Sequence, residues 1–166
     1  MKIHGKPLAG PNHEIVVLPR PPIIEEENEV PNDIIFECAA VIDFDEFDKL
    51  CPLPSPPKTL KRGETVPVSN IQDPSYLKKI EEYTLLQTDY LFVKSINATP
   101  GLSWEKVDLK NPQTWKNWRS ELKDSGLTIS EITKVQQAVL DANGMDDSKI
   151  EEARNRFLAR RRQAVV

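Results

Sequence analysis

The chain is poor in side chains that do chemistry at neutral pH. Two histidines, His4 and His13, are present, both in a Pro/Gly-rich N-terminus. No motif sets a nucleophile beside either, so no catalytic residue is assigned. Cys38 and Cys51 are the only cysteines. Without a nearby histidine they make a poor zinc site, and they read as small buried hydrophobes in a reducing compartment. Neither GxxxxGK[ST] nor GxGxxG occurs, which removes the usual phosphate cradles. No apolar run reaches the roughly 18 residues of a membrane span. The opening MKIHGKPLAGPNHEI has no apolar core of a secretory signal, so the cytoplasm is the expected location. Neither a cofactor nor a metal is implied. The chain reads as a small binding protein rather than an enzyme.

Proline, by contrast, is abundant and uneven: 12 of the 14 prolines lie in residues 1–74. Proline lacks a donor N–H and breaks helix interiors, so this part cannot hold long helices. Glu14–Leu18 reads as a strand. Ile24–Asn32 is acidic and reads as a loop. Asp33–Asp43 is the best strand, with Ile34, Phe36, Cys38, Ala40 and Ile42 on one face by alternation. The two strands can pair as a hairpin with a long connection. Phe44–Leu50 suits a single helical turn. Cys51–Pro57 (CPLPSPP) favours an extended connector, and 58–72 reads as loop with a strand at Thr65–Ser69.

Asp73-Pro74 then opens a helix, with aspartate as N-cap and proline at the first helical position. Tyr76, Ile80, Tyr83, Leu86, Tyr90 and Val93 make one apolar face through about Lys94. Pro100-Gly101 marks a turn. A helix follows from Pro112 to Ser125, with Trp115, Trp118 and Leu122 on one face and Gly126 as its left-handed stop. Thr128 and Glu131 form a capping-box pattern for the next helix, with Ile132, Val135, Val139 and Ala142 facing inward and Asn143-Gly144 as stop. A third C-terminal helix starts around Asp146–Ser148 and closes on Arg160-Arg161-Arg162, an acidic start and basic end that suit the helix dipole. Ile150, Ala153, Phe157 and Leu158 form its expected buried face, and Met145 is placed to pack on Ile150. The expected fold class is α+β: a Pro-rich, β-containing segment over 1–72 and a helical domain over 73–166, also compatible with one compact domain.

Charge is divided too. Residues 1–103 carry 10 basic and 16 acidic side chains, whereas Trp104 onward carries 12 basic and 10 acidic. That balance is far from a strongly basic nucleic-acid domain. Asp141 to Glu152 imitates a calcium loop, but Asp146 stands where glycine must turn the chain, so the match fails. Leu122, Gly126 and Ile132 fall at helix-turn-helix spacings, although the second helix offers only Lys134 as a cation.

The residues Trp104-Glu105, Val107-Asp108, Asn111-Pro112-Gln113-Thr114-Trp115, Trp118 and Glu121-Leu122 resemble the C-terminal region of tail assembly chaperones of long-tailed bacteriophages. The likeness continues through Gly126-Leu127, Glu131, Val139, Ala142-Asn143, Lys149, Glu152-Ala153-Arg154 and Phe157-Leu158. It implies a non-virion protein of the host cytoplasm that binds the tape measure protein or tail tube subunits and self-associates. Tyr83, Tyr90, Trp115, Trp118 and Phe157 are the candidate client contacts, and Arg160, Arg161 and Arg162 the candidate acidic-partner contacts. Two alternatives are a structural virion component, such as a head–tail connector or baseplate piece, and a DNA-binding regulator. Nucleic acid and membrane are not the expected partners.

Overall fold

The computed structural model describes residues 2–3, 6–7, 12–25, 28–60, 66–145, 147–148, 150–152 and 154–155. The fold is α+β, and the described residues hold eight short strands: β1 Lys2–Ile3, β2 Lys6–Pro7, β3 His13–Leu18, β4 Ile23–Glu25, β5 Asn28–Val30, β6 Ile34–Ala39, β7 Lys58–Thr59 and β8 Val68–Ser69. The helices are α1 Asp45–Leu50, α2 Pro74–Ile96, α3 Pro112–Trp115, α4 Trp118–Asp124 and α5 Ile129–Ala142. The strands form four antiparallel pairs, β1–β2, β3–β6, β4–β5 and β7–β8. Two compact units are not divided at residue 72. One comprises Met1–Ile42, Lys94–Ser103 and Leu122–Val166, the other Asp43–Val93 and Trp104–Glu121.

In the first unit the expected long-connection hairpin forms, with β3 paired to β6 from His13↔Ala39 to Leu18↔Ile34. Leu18, Phe36 and Cys38 are buried on one face of the pair, and α5 packs against both strands. The strand ends at Ala39, and Ile42, expected on the inward face, is exposed. Ile24–Asn32, expected as loop, contains the β4–β5 hairpin. Its isoleucines are exposed, so backbone pairing builds it without the one-sided burial that alternation detects.

The helix signals act as expected. Asp73 Oδ1 accepts from the N–H groups of Ser75 and Tyr76 at 2.9 and 3.1 Å, which opens α2. Thr128 and Glu131 make a complete capping box for α5. Gly126 and Gly144 take φ of 93° and 67° and end α4 and α5. At each stop the following residue donates to a carbonyl five positions back, Leu127 to Leu122 O at 3.2 Å and Met145 to Leu140 O at 2.9 Å. Ile132, Val135, Val139 and Ala142 are buried as their spacing demands, joined by Ala138.

One helix departs from expectation. Residues 112–125 form two helices, α3 and α4, instead of one. Asn117 N–H donates to Thr114 O at 2.9 Å, three residues back instead of four, and Thr114 Oγ1 donates to Asn111 O at 2.7 Å. The chain tightens there, a 3₁₀-like turn that ends the regular helical ladder. Positions 147, 148, 150–152, 154 and 155 are helical, in keeping with the third C-terminal helix. Ile150 is exposed, so it does not belong to a buried face, and Met145 is exposed as well. Ala153, Phe157, Leu158 and Arg160–Arg162 lie outside the described residues.

Candidate functional site: the aromatic cluster

The second unit gathers four of the candidate aromatics. Its Asp45–Leu50 stretch lacks the length for an independent helix, since isolated helices shorter than about 12 residues are marginal in water. What holds α1 is Phe47, fully buried. Its ring lies 5.2 Å from Tyr83, 5.6 Å from Tyr90 and 5.9 Å from Trp115, with Phe44 at 6.1 Å edge-on. Tyr90 and Trp115 meet at 5.0 Å. Trp118 stacks on Phe92 at 4.8 Å with an interplanar angle of 8°, and the Arg119 guanidinium sits 6.0 Å from the Trp118 ring centre. Such offset and edge contacts are the arrangements that ring quadrupoles prefer.

The polar ends of these rings are placed as well. Trp115 Nε1–H donates to Asp108 O at 3.0 Å, and Trp118 Nε1–H donates to Asp89 Oδ1 at 3.1 Å. Tyr83 and Tyr90 hydroxyls donate to Asp48 at 3.4 Å and Glu46 at 3.2 Å. Burial, and then the Asp48 charge, pushes the Tyr83 phenol up. Burial likewise raises Asp89 against the opposing pull of the Trp118 indole. Glu121 is buried and accepts from the N–H groups of Glu105 and Lys106, which ties the 104–107 loop to α4.

Tyr90, Trp115 and Trp118 are therefore core side chains with satisfied polar ends, and Tyr83 is half-buried at the cluster's edge. Phe157 and Arg160–Arg162 fall outside the described residues. The apolar side chains that the second unit does offer to solvent are elsewhere. Leu53, Leu60, Val68 and Ile71 stand out on the Pro-rich connection, and Leu77 and Leu85 on α2. Sequence periodicity misses the first four because they belong to no repeating face. Among the described residues no group of three or more His, Cys, Asp or Glu side chains could hold a metal ion.

In the first unit Glu131 has two tasks. One carboxylate oxygen closes the Thr128 capping box, and the other receives Arg20 Nη1. Arg20 lies on the PRPP segment after β3, and its own backbone N–H donates to Asp33 Oδ1 at 3.1 Å. Arg20, followed by the Thr128 donors, holds the Glu131 carboxyl at about 2. The exposed side of α5 carries one cation, Lys134. Among the described residues no helix is long and apolar enough to cross a membrane. No protein-family model, no curated protein and no solved structure matches this chain.

Proposed function

We propose that this protein is a non-enzymatic tail assembly chaperone of a long-tailed bacteriophage, acting in the host cytoplasm on the tape measure protein, tail tube subunits or both. The observation that carries this reading is the residue pattern from Trp104 to Leu158. In its described part the pattern's polar and glycine positions act as caps and stops: Asn111 and Thr128 as N-caps, Glu131 in the capping box, Asn143 as C-cap and Gly126 as left-handed stop. Support for an adapter role comes from the exposed apolar side chains of the second unit, Leu53, Leu60, Val68, Ile71, Leu77 and Leu85. Exposed apolar surface of this kind suits the apolar face of an amphipathic client, with the buried aromatics as the rigid support behind it.

The reading is tested by co-expressing the chain with the tape measure protein encoded alongside it, and by mass spectrometry of purified virions. The expected result is co-purification, a higher soluble yield of the tape measure protein, and absence from mature particles. Stoichiometric presence in particles would overturn it in favour of a connector or baseplate piece. A duplex-DNA role is disfavoured by the lone cation on the exposed side of α5, because phosphate contacts supply most of non-specific affinity.

A further inference from the structure

The two edges of the β3–β6 pair are treated differently. Thr99 closes the outer edge of β6: its Oγ1 accepts from Glu37 N–H at 2.9 Å and donates to Glu37 O at 3.1 Å. Ser95 Oγ donates to Ala39 O at 2.7 Å on the same edge. Both backbone groups of Glu37 thus point away from β3. In an antiparallel pair a residue's N–H and C=O face the same side, and the side alternates along the strand. Glu37 is opposite Ile15, so the N–H and C=O of Ile15 point away from β6, and those of Val17 do likewise. Among the described residues these four groups have no hydrogen-bond partner.

The side chains on this edge are also uncovered. Ile15 and Val17 are 60% and 52% exposed, and Ile35, opposite Val17, is 50% exposed on the same face. Folded proteins normally blunt such an edge with lysine, proline, a bulge or a covering segment. Within β3 (HEIVVL) there is no lysine or proline, and its register with β6 runs without a bulge.

We infer that the outer edge of β3 is a strand-addition site for an extended, cationic segment of another protein. Charge selects the occupant. Among the side chains described within residues 12–42, Glu14, Glu29, Asp33 and Glu37 are acidic, against one base, Arg20, which is already committed to Glu131. On the exposed face the Glu37 carboxylate lies beside His13, 3.4 Å away. A second copy of this chain would bring its own acidic excess to the same edge. A segment alternating β-branched residues with lysine or arginine supplies the missing ladder groups, covers Ile15, Val17 and Ile35, and neutralises the surroundings. The inference is independent of the chaperone reading: it stands or falls on the backbone of β3, whatever the partner's identity.

Amide hydrogen exchange on the full chain tests it, with a short capped peptide alternating lysine and valine as probe. In the free protein Ile15 and Val17 amides exchange fast while Val16 and Leu18, turned toward β6, are protected. Saturating probe should slow Ile15 and Val17 roughly tenfold or more and leave Val16 and Leu18 unchanged. Val17→Pro removes an outward N–H and keeps the β6 ladder, as edge strands tolerate proline. It should weaken probe binding about tenfold by fluorescence anisotropy, in line with losing one ladder bond and its close fit. The glutamate–valine counterpart of the probe should not bind. Three results would overturn the inference: Ile15 and Val17 already protected in dilute free protein, protection that tracks this chain's own concentration, or probe binding indifferent to Val17→Pro.

Discussion

Phe47→Ala probes the link between a six-residue helix and the second unit's core. α1 is too short to persist by itself, so its position rests on the packing of this one ring. Phe47 is fully buried and lies within 6.1 Å, centre to centre, of four aromatic rings, Phe44, Tyr83, Tyr90 and Trp115. Truncating a fully buried phenylalanine costs about 3–5 kcal/mol, the removed area and the cavity together. For a chain of this size that corresponds to a drop in Tm of roughly 6–20 °C. Phe44→Ala is the internal control. Phe44 is half-buried and contacts two rings, Phe47 and Tyr90, so its loss should cost about 1–2 kcal/mol, in the range of two aromatic pairs. Urea unfolding followed by tryptophan fluorescence reads both variants, because Trp115 lies 5.9 Å from Phe47. If Phe44→Ala proves as costly as Phe47→Ala, or Phe47→Ala costs less than about 1 kcal/mol, Phe47 is not the anchor.

Three further outcomes follow from single groups. Glu131 is held at about 2 against an ordinary 4.5, so its contribution is full above pH 4.5 and is lost as acid carries the pH down toward 2; unfolding titrations should show that loss in the wild type and a flatter profile in Arg20→Met. The Cys38 thiol is pushed up to about 12 by burial and then by Glu14, so its stabilising contribution is present below pH 9 and lost as the pH rises toward 12. At pH 8 it should react with a chromogenic disulfide reagent only at the rate of unfolding, and a fast reaction in the folded state would contradict its burial. Gly126→Ala should cost about 1–2 kcal/mol by thermal melts, and more than Gly144→Ala. The added methyl meets nothing within 4 Å at either site, so backbone conformation decides, and φ of 93° lies farther from the left-handed minimum than 67°.

Local signals were legible because they are self-contained. Asp73-Pro74, Thr128 with Glu131, Gly126 and Asn143-Gly144 each satisfy or redirect backbone groups within a few residues, and each does so where its pattern places it. The β3–β6 pair was legible from alternation, since one face is buried. The break at 116–117 was not, because Trp115 and Trp118 fall at helical spacing whether or not the ladder continues between them. Ile42 and Ile150 fit apolar patterns yet are exposed, as a periodic position is buried only where another element covers it. The β4–β5 hairpin was hidden beneath an acidic run, because ladder bonds do not depend on side-chain polarity.

The sequence by itself determined where α2 and α5 begin, where α4 and α5 stop, which strands pair across a long connection, and that the cysteines are small buried side chains. Those properties rest on dihedral preferences, cap chemistry and local periodicity, all written within a few residues. Tertiary structure alone decided the partners separated by long stretches of chain. It brought Arg20 to Glu131, Thr99 to Glu37, Asn143 to the Val41 N–H, and Phe47 to Tyr90 and Trp115. It also turned Tyr90, Trp115 and Trp118 into core and, among the described residues, left the outer edge of β3 open. Contacts across 40 residues or more depend on which elements cover one another's apolar faces, and no periodicity in one segment encodes which distant side chain will cover it.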